Sequence, residues 1–170
     1  MLAPADRYGV VVLAPDSRGI TWDALGTGFG PDVTFLDRAL EEVRIRCRVD
    51  VNRMALGGIS DGASYALSLG LSNGDLFPVV IAFSPGGARP GPFLGRPRVF
   101  VSHGTADPVL PIDACSRRLV PVLRETGYEV LYEEFDGGHT VPAPIADRAL
   151  AWWLTPNDAS AAAGFAPNDA

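Results

Sequence analysis

Short apolar runs rich in β-branched residues alternate along this 170-residue sequence with stretches whose apolar side chains fall three or four positions apart. The runs 8–14 (YGVVVLA), 53–59 (RMALGGI), 78–83 (PVVIAF), 98–102 (RVFVS) and 128–135 (YEVLYEEF) read as strands. Those with no polar alternation suit a parallel sheet covered on both faces. Between them, Val33, Leu36, Leu40, Val43 and Cys47 mark a helix with Asp32 as its N-cap, and residues 63–71 mark a second helix, following Ser60. Ile112, Cys115, Leu119 and Val122 mark a third, with Pro121 placed to kink it, and Ile145, Ala149 and Trp152 line the inward face of a last one. Strands alternating with helices imply right-handed βαβ crossovers. The expected fold is therefore a three-layer α/β/α domain, residues 1–154, around a mostly parallel sheet of about five strands. In such sheets ligands sit beyond the carboxyl ends of the strands.

Beyond Leu154 the composition falls to Ala, Pro, Asn, Asp and Ser, and PNDA occurs at both 156–159 and 167–170. Residues 155–170 are expected to be a disordered tail, because too few apolar groups are present to offset the entropy of ordering. A hydrophobic fraction of 47% with 20% charged residues is that of an ordinary globular domain, and no window has the apolar length of a membrane span. No basic head followed by an apolar stretch opens the sequence, so a cytoplasmic location is expected.

The net charge of −6 argues against nucleic acid as a partner. All 14 basic residues are arginine, which excludes a P-loop, a Schiff-base lysine and a Ser-Lys dyad. Cys47 and Cys115 are too few for a disulfide framework and are not in metal-ligand spacing, so buried thiols and no metal are expected.

Gly58-Ile59-Ser60-Asp61-Gly62 fits the Gly-x-Ser-x-Gly pattern and lies between an expected strand and an expected helix. A serine on so tight a turn is forced into strained geometry, and glycines beside it avoid clashes between strand and helix. The helix N-terminus that follows favours developing negative charge. Glycines that merely make a turn would give the same pattern. A serine hydroxyl needs a base to take its proton, and two histidines are available. His139, in Gly137-Gly138-His139-Thr140, follows the fifth strand, and His103 ends the fourth. The chain order Ser, Asp, His favours His139 as base and leaves His103 a structural role. Asp107, on the loop leaving the fourth strand, could accept the imidazole Nδ1 proton and fix the tautomer. Asp113 is explained by a helix first turn and Asp136 by a turn, so Asp107 is the better candidate.

The segments ALGGISDGASYAL, VFVSHGTADPVLP and FDGGHTVP resemble the phospholipase/carboxylesterase and dienelactone-hydrolase branch of the α/β-hydrolase superfamily, over residues 8–154. The resemblance implies hydrolysis of carboxylic esters or thioesters through an acyl-enzyme on Ser60, with His139 as base, Asp107 as orienting acid and no cofactor. Little chain is left over for a lid, which favours short or accessible ester substrates. Members of that family enter with further strands and a His-Gly loop that supplies an oxyanion-hole amide, so this chain resembles an N-terminally shortened relative. A gap in the sheet would leave backbone groups unpaired. Two arrangements would close it: the run 8–14 pairing directly with 53–59, or a second copy covering the exposed edge as a homodimer.

One oxyanion donor is the backbone N–H of Asp61, and the backbone N–H of Ser17 is the candidate for the other. Loss of one donor costs about 10²- to 10³-fold in rate. Trp22 would line the substrate pocket or else pack on the first helix. A non-catalytic or weakly active relative remains the rival reading, and thioester cleavage would use the same residues.

Overall fold

A computed structural model describes residues 2–26 and 28–155, so the expected tail from 156 onward lies outside the described residues. Four parallel strands, β1 (Ala55–Ile59), β2 (Val79–Phe83), β3 (Arg98–Gly104) and β4 (Val130–Phe135), lie side by side in chain order. The helices are α1 (Leu2–Tyr8), α2 (Pro31–Arg46), α3 (Asp61–Ser72), α4 (Ser116–Glu125) and α5 (Ala143–Leu154).

The two central strands show why their sequences lack polar alternation. Val80, Ala82, Val99 and Val101 face α3 and α4 and pack on Leu67, Leu71, Val120 and Leu123. Val79, Ile81, Phe83 and Phe100 face the other way, onto Ile145 and Ala149 of α5, with Trp152 at the margin. Both faces are covered, so apolar residues are favoured at every position. α2 adds an outer layer on α3, where Val33 and Leu36 meet Tyr65 and Leu69. α1 lies against α5, and Arg7 pairs with Asp147 across that contact at 3.4 Å. The expected three-layer α/β/α architecture is therefore present.

The first expected strand is not. Tyr8 closes α1, residues 9–14 form no regular structure, and Val11 and Val12 stay 54% and 42% exposed. The sheet has four strands instead of about five, and the pairing of 8–14 with β1 is not made. An apolar run becomes a strand only where a ladder and covering helices receive it. Here the helices cover β2 and β3, while Gly57 and Ile59 of β1 remain exposed.

Two helix expectations also shift. Gly30, not Asp32, is the N-cap of α2. Asp32 is buried, and its two carboxylate oxygens accept the N–H groups of Arg18 and Asp23 at 2.6 and 2.8 Å. Asp23 in turn accepts from Gly30 and Asp32, both at 2.9 Å, so the two carboxylates brace the loop between them. In α4, Val120 and Leu123 are buried and Val122 is exposed. Ile112 and Cys115 are buried but precede the helix, so the inward face restarts in a new phase, and Pro121 lies within it.

Candidate active site

Ser60 joins β1 to α3 at φ 60°, a left-handed conformation that a serine adopts only under constraint. Gly58 makes the turn possible, since a Cβ there would overlap the Gly62 carbonyl and the Ala63 nitrogen. Gly62 itself is less restricted, because a Cβ on it would meet only Trp22 Nε1 at 3.6 Å. The Ser60 N–H donates to the Phe83 carbonyl at 2.9 Å, tying the turn to the end of β2. Asp61 opens α3, so its backbone N–H is one of the unpaired donors at a helix N-terminus.

Asp107 follows β3 and has a fully buried side chain. Its Oδ1 accepts the N–H groups of Val109 and Leu110 at 2.8 and 2.9 Å, and its Oδ2 lies 2.6 Å from His139 Nδ1. Burial by itself would raise the Asp107 pKa. The hydrogen bonds from Leu110, His139 and Val109, with the His139 charge, outweigh it and hold the carboxyl below the usual carboxylate range. Asp113 instead pairs with Arg117 at 2.8 Å, away from His139.

Distance explains the loop that carries His139. β1 and β4 are the two outer strands, three inter-strand spacings or about 14 Å apart. The chain after β4 therefore has to fold back over the end of β3. Thr105 and Ala106 donate to the Phe135 and Gly137 carbonyls at 2.9 Å each. A Cβ on Gly104 would overlap the carbonyls of Gly137 and Gly138, so glycine permits this crossing. A proton on Nδ1, directed at Asp107, leaves Nε2 of His139 as the basic nitrogen. The Ser60 hydroxyl and His139 Nε2 each lack a hydrogen-bond partner among the described residues, so the link between them is not made in this structure.

A cleft of about 340 Å³ opens beside Ser60, lined by Leu25, Asp61, Ala88, Arg89, Val109 and Leu110 among others. One wall is the segment after β2, which is held along α3 by a ladder of hydroxyls. Ser64, Ser68 and Ser72 accept the N–H groups of Gly86, Arg89 and Gly91 at 2.9, 2.8 and 2.8 Å. Each hydroxyl also donates to the carbonyl four residues back. The sequence reading missed this ladder. Its signal was serine at every fourth position from Ser60 to Ser72 of an otherwise apolar helix.

The first loop carries the other two expected site residues, Trp22 and Ser17. Trp22 stacks on Tyr65 of α3 with ring centroids 4.5 Å apart and is not among the cleft-lining residues. Ser17 donates its hydroxyl to the Gly19 carbonyl at 2.9 Å. Thr21 reaches the site, donating to the Asp61 carboxylate at 2.8 Å. No group of three or more metal-ligating side chains occurs among the described residues.

Solved structures similar to this one include esterase PE8, with a TM-score of 0.59 and 28% identity, covering 70% of this chain and 57% of that one. A Bacillus cereus carboxylesterase gives a TM-score of 0.58 and 26% identity over 72% of this chain and 60% of that one. The chain has an α/β-hydrolase fold. A thermostable esterase adds a TM-score of 0.60 at 24% identity, over 79% of this chain and 40% of that one. The chain thus spans less than two thirds of the length of these structures. No protein-family model and no curated protein matches it. Ser60, Asp107 and His139 follow β1, β3 and β4 of this chain, and Ser, Asp, His is the chain order of nucleophile, acid and base in α/β-hydrolases. Among the described residues no helix is long and apolar enough to cross a membrane.

Proposed function

We propose that this chain is a serine hydrolase that cleaves carboxylic esters through an acyl-enzyme on Ser60, without a cofactor. The observation that carries the reading is the 2.6 Å contact between His139 Nδ1 and the buried Asp107 carboxylate, on the rim that also presents Ser60 at φ 60°. His139 Nε2 takes the proton as Ser60 Oγ bonds to the ester carbonyl carbon. The Asp61 N–H, at the N-terminus of α3, stabilises the oxyanion. Collapse of the tetrahedral intermediate breaks the bond to the alcohol, which leaves with the proton from His139. Water then repeats the sequence, with His139 as base, and frees the acid. The second oxyanion donor comes from the loop that Thr21 ties to Asp61, with the Ser17 N–H as the candidate. The likeness to esterase structures supports the substrate class, and the open cleft suits short acyl groups.

A panel of p-nitrophenyl esters of graded length tests the reading. Hydrolysis should be fastest for the shortest chains and fall by about 10⁴-fold or more in Ser60→Ala. Equal rates in the two proteins would discard it. The missing bond between Ser60 and His139 favours one rival, a weakly active relative, which the same panel detects as a low but Ser60-dependent rate. Thioester substrates run beside the esters decide which class is preferred.

A further inference from the structure

We infer that His103 is a positioning residue for the acid–base pair, a second imidazole beside the carboxylate oxygen that His139 uses. The inference rests on the ester-hydrolase reading above. His103 lies on β3 and is fully buried, so it cannot touch substrate. Its Nδ1 is 2.6 Å from the hydroxyl of Ser116, the buried first residue of α4. Its Nε2 is 2.8 Å from the Leu110 carbonyl and 3.2 Å from Asp107 Oδ2.

These partners fix the ring's tautomer. A carbonyl can only accept, so Nε2 carries the proton and donates it to Leu110, with Asp107 Oδ2 in contact beside that bond. Nδ1 is then the acceptor, and the Ser116 hydroxyl donates to it. The ring becomes a strut between the start of α4 and the segment 107–110, bonded to the Leu110 carbonyl and in contact with the Asp107 carboxylate.

The Asp107 carboxylate has three hydrogen-bond donors. Oδ1 is held by Val109 and Leu110 and Oδ2 by His139, while His103 lies 3.2 Å from Oδ2 and bonds the carbonyl of the same Leu110 whose N–H holds Oδ1. A histidine that merely filled space in the core would not bond the residue whose N–H holds the proposed acid, nor lie 3.2 Å from that acid. Without it, the Leu110 carbonyl loses its donor, the Leu110 N–H that fixes Oδ1 can shift, and the carboxylate can turn away from His139. The consequence belongs to turnover rather than to substrate affinity, because the base is misplaced while the cleft surface is unchanged.

Three variants read this out with p-nitrophenyl acetate. His103→Phe keeps a ring but removes both nitrogens, and it should lower kcat by about 10²-fold with KM within about twofold of wild type. His103→Gln can place an amide N–H where Nε2 stood and should recover most of the lost rate. Ser116→Ala frees the far end of the strut and should lower kcat by a smaller factor at constant KM. Proton NMR adds a readout independent of turnover. The low-field resonance of the His139 Nδ1 proton bonded to Asp107 should persist in His103→Gln and be lost or displaced in His103→Phe.

Folded His103→Phe with wild-type kcat and an unmoved resonance overturns the inference, as does a loss that falls on KM. Equal losses in His103→Phe and His103→Gln also overturn it. Should His103→Phe fail to fold, Ser116→Ala with wild-type kcat does the same. If wild type shows no Ser60-dependent hydrolysis, the ester-hydrolase reading fails, and the resonance still tells whether His103 positions the Asp107–His139 pair.

Discussion

The two flanks of Ser60 are built differently. On the side of β3 and β4, Asp107 is buried beneath three donors and the His139 loop is clamped over Gly104. On the side of the N-terminal segment, β1 has an open outer edge, Ile59 is 41% exposed, and Val11 and Val12 face solvent. What holds that flank is the pair of carboxylates Asp23 and Asp32, with the Trp22 stack and the Thr21 tether. In the proposed reaction, proton handling falls on the well-packed half and completion of the oxyanion site on the half held mainly by polar contacts.

The largest expected effect comes from breaking the packed flank. Asp107→Asn retains the shape but removes the charge that selects the His139 tautomer, and kcat should fall by about 10⁴-fold. Stopped assays on folded protein check this, and a loss below tenfold would show that another acid serves His139.

Acid should act on the same flank. Asp107 and Glu134 are both held below their ordinary pKa, Asp107 by hydrogen bonds that outweigh its burial and Glu134 chiefly by its bond to Arg117. A carboxylate depressed in the folded state adds stability that is complete above the unfolded value, about 4, and is lost as pH falls through the folded value. Urea midpoints should therefore be level near neutrality and drop below about pH 4, less steeply in Asp107→Asn. A midpoint that rose on acidification would contradict the sign.

Smaller changes sharpen the contrast. Ser68→Ala leaves the Arg89 N–H without its acceptor and should cost about 1–3 kcal/mol in urea unfolding. An unchanged midpoint would mean that the wall of the cleft does not depend on the hydroxyl ladder. Val12→Asp should change stability by less than about 0.5 kcal/mol, since Val12 is exposed on the other flank. A loss of several times that would show that residues 8–14 are buried in solution, either beside β1 or under a second copy, and sedimentation would tell these apart.

The sequence carried the packed flank well and the open one poorly. Continuous apolar runs announced β2 and β3 because both of their faces are covered, and the glycines around Ser60 announced a turn that only Gly58 strictly requires. Asp107 and His139 could be paired from chain order. The run 8–14 has the same local chemistry as a true strand, yet its fate depends on whether a neighbouring strand exists, which no local pattern encodes. Asp32 was misread as a cap because a buried acid bonded to distant backbone groups is indistinguishable in sequence from one at a helix start. The serine ladder and the His103 strut escaped for a related reason: their partners lie on other elements.

Covalent labelling with a fluorophosphonate probe, followed by mass spectrometry of the peptides, tests the central claim most directly. A single adduct on Ser60 is expected, formed rapidly in wild type and far more slowly in His139→Ala. Folded wild-type protein that stays unlabelled, or that is modified at another residue, would contradict the account.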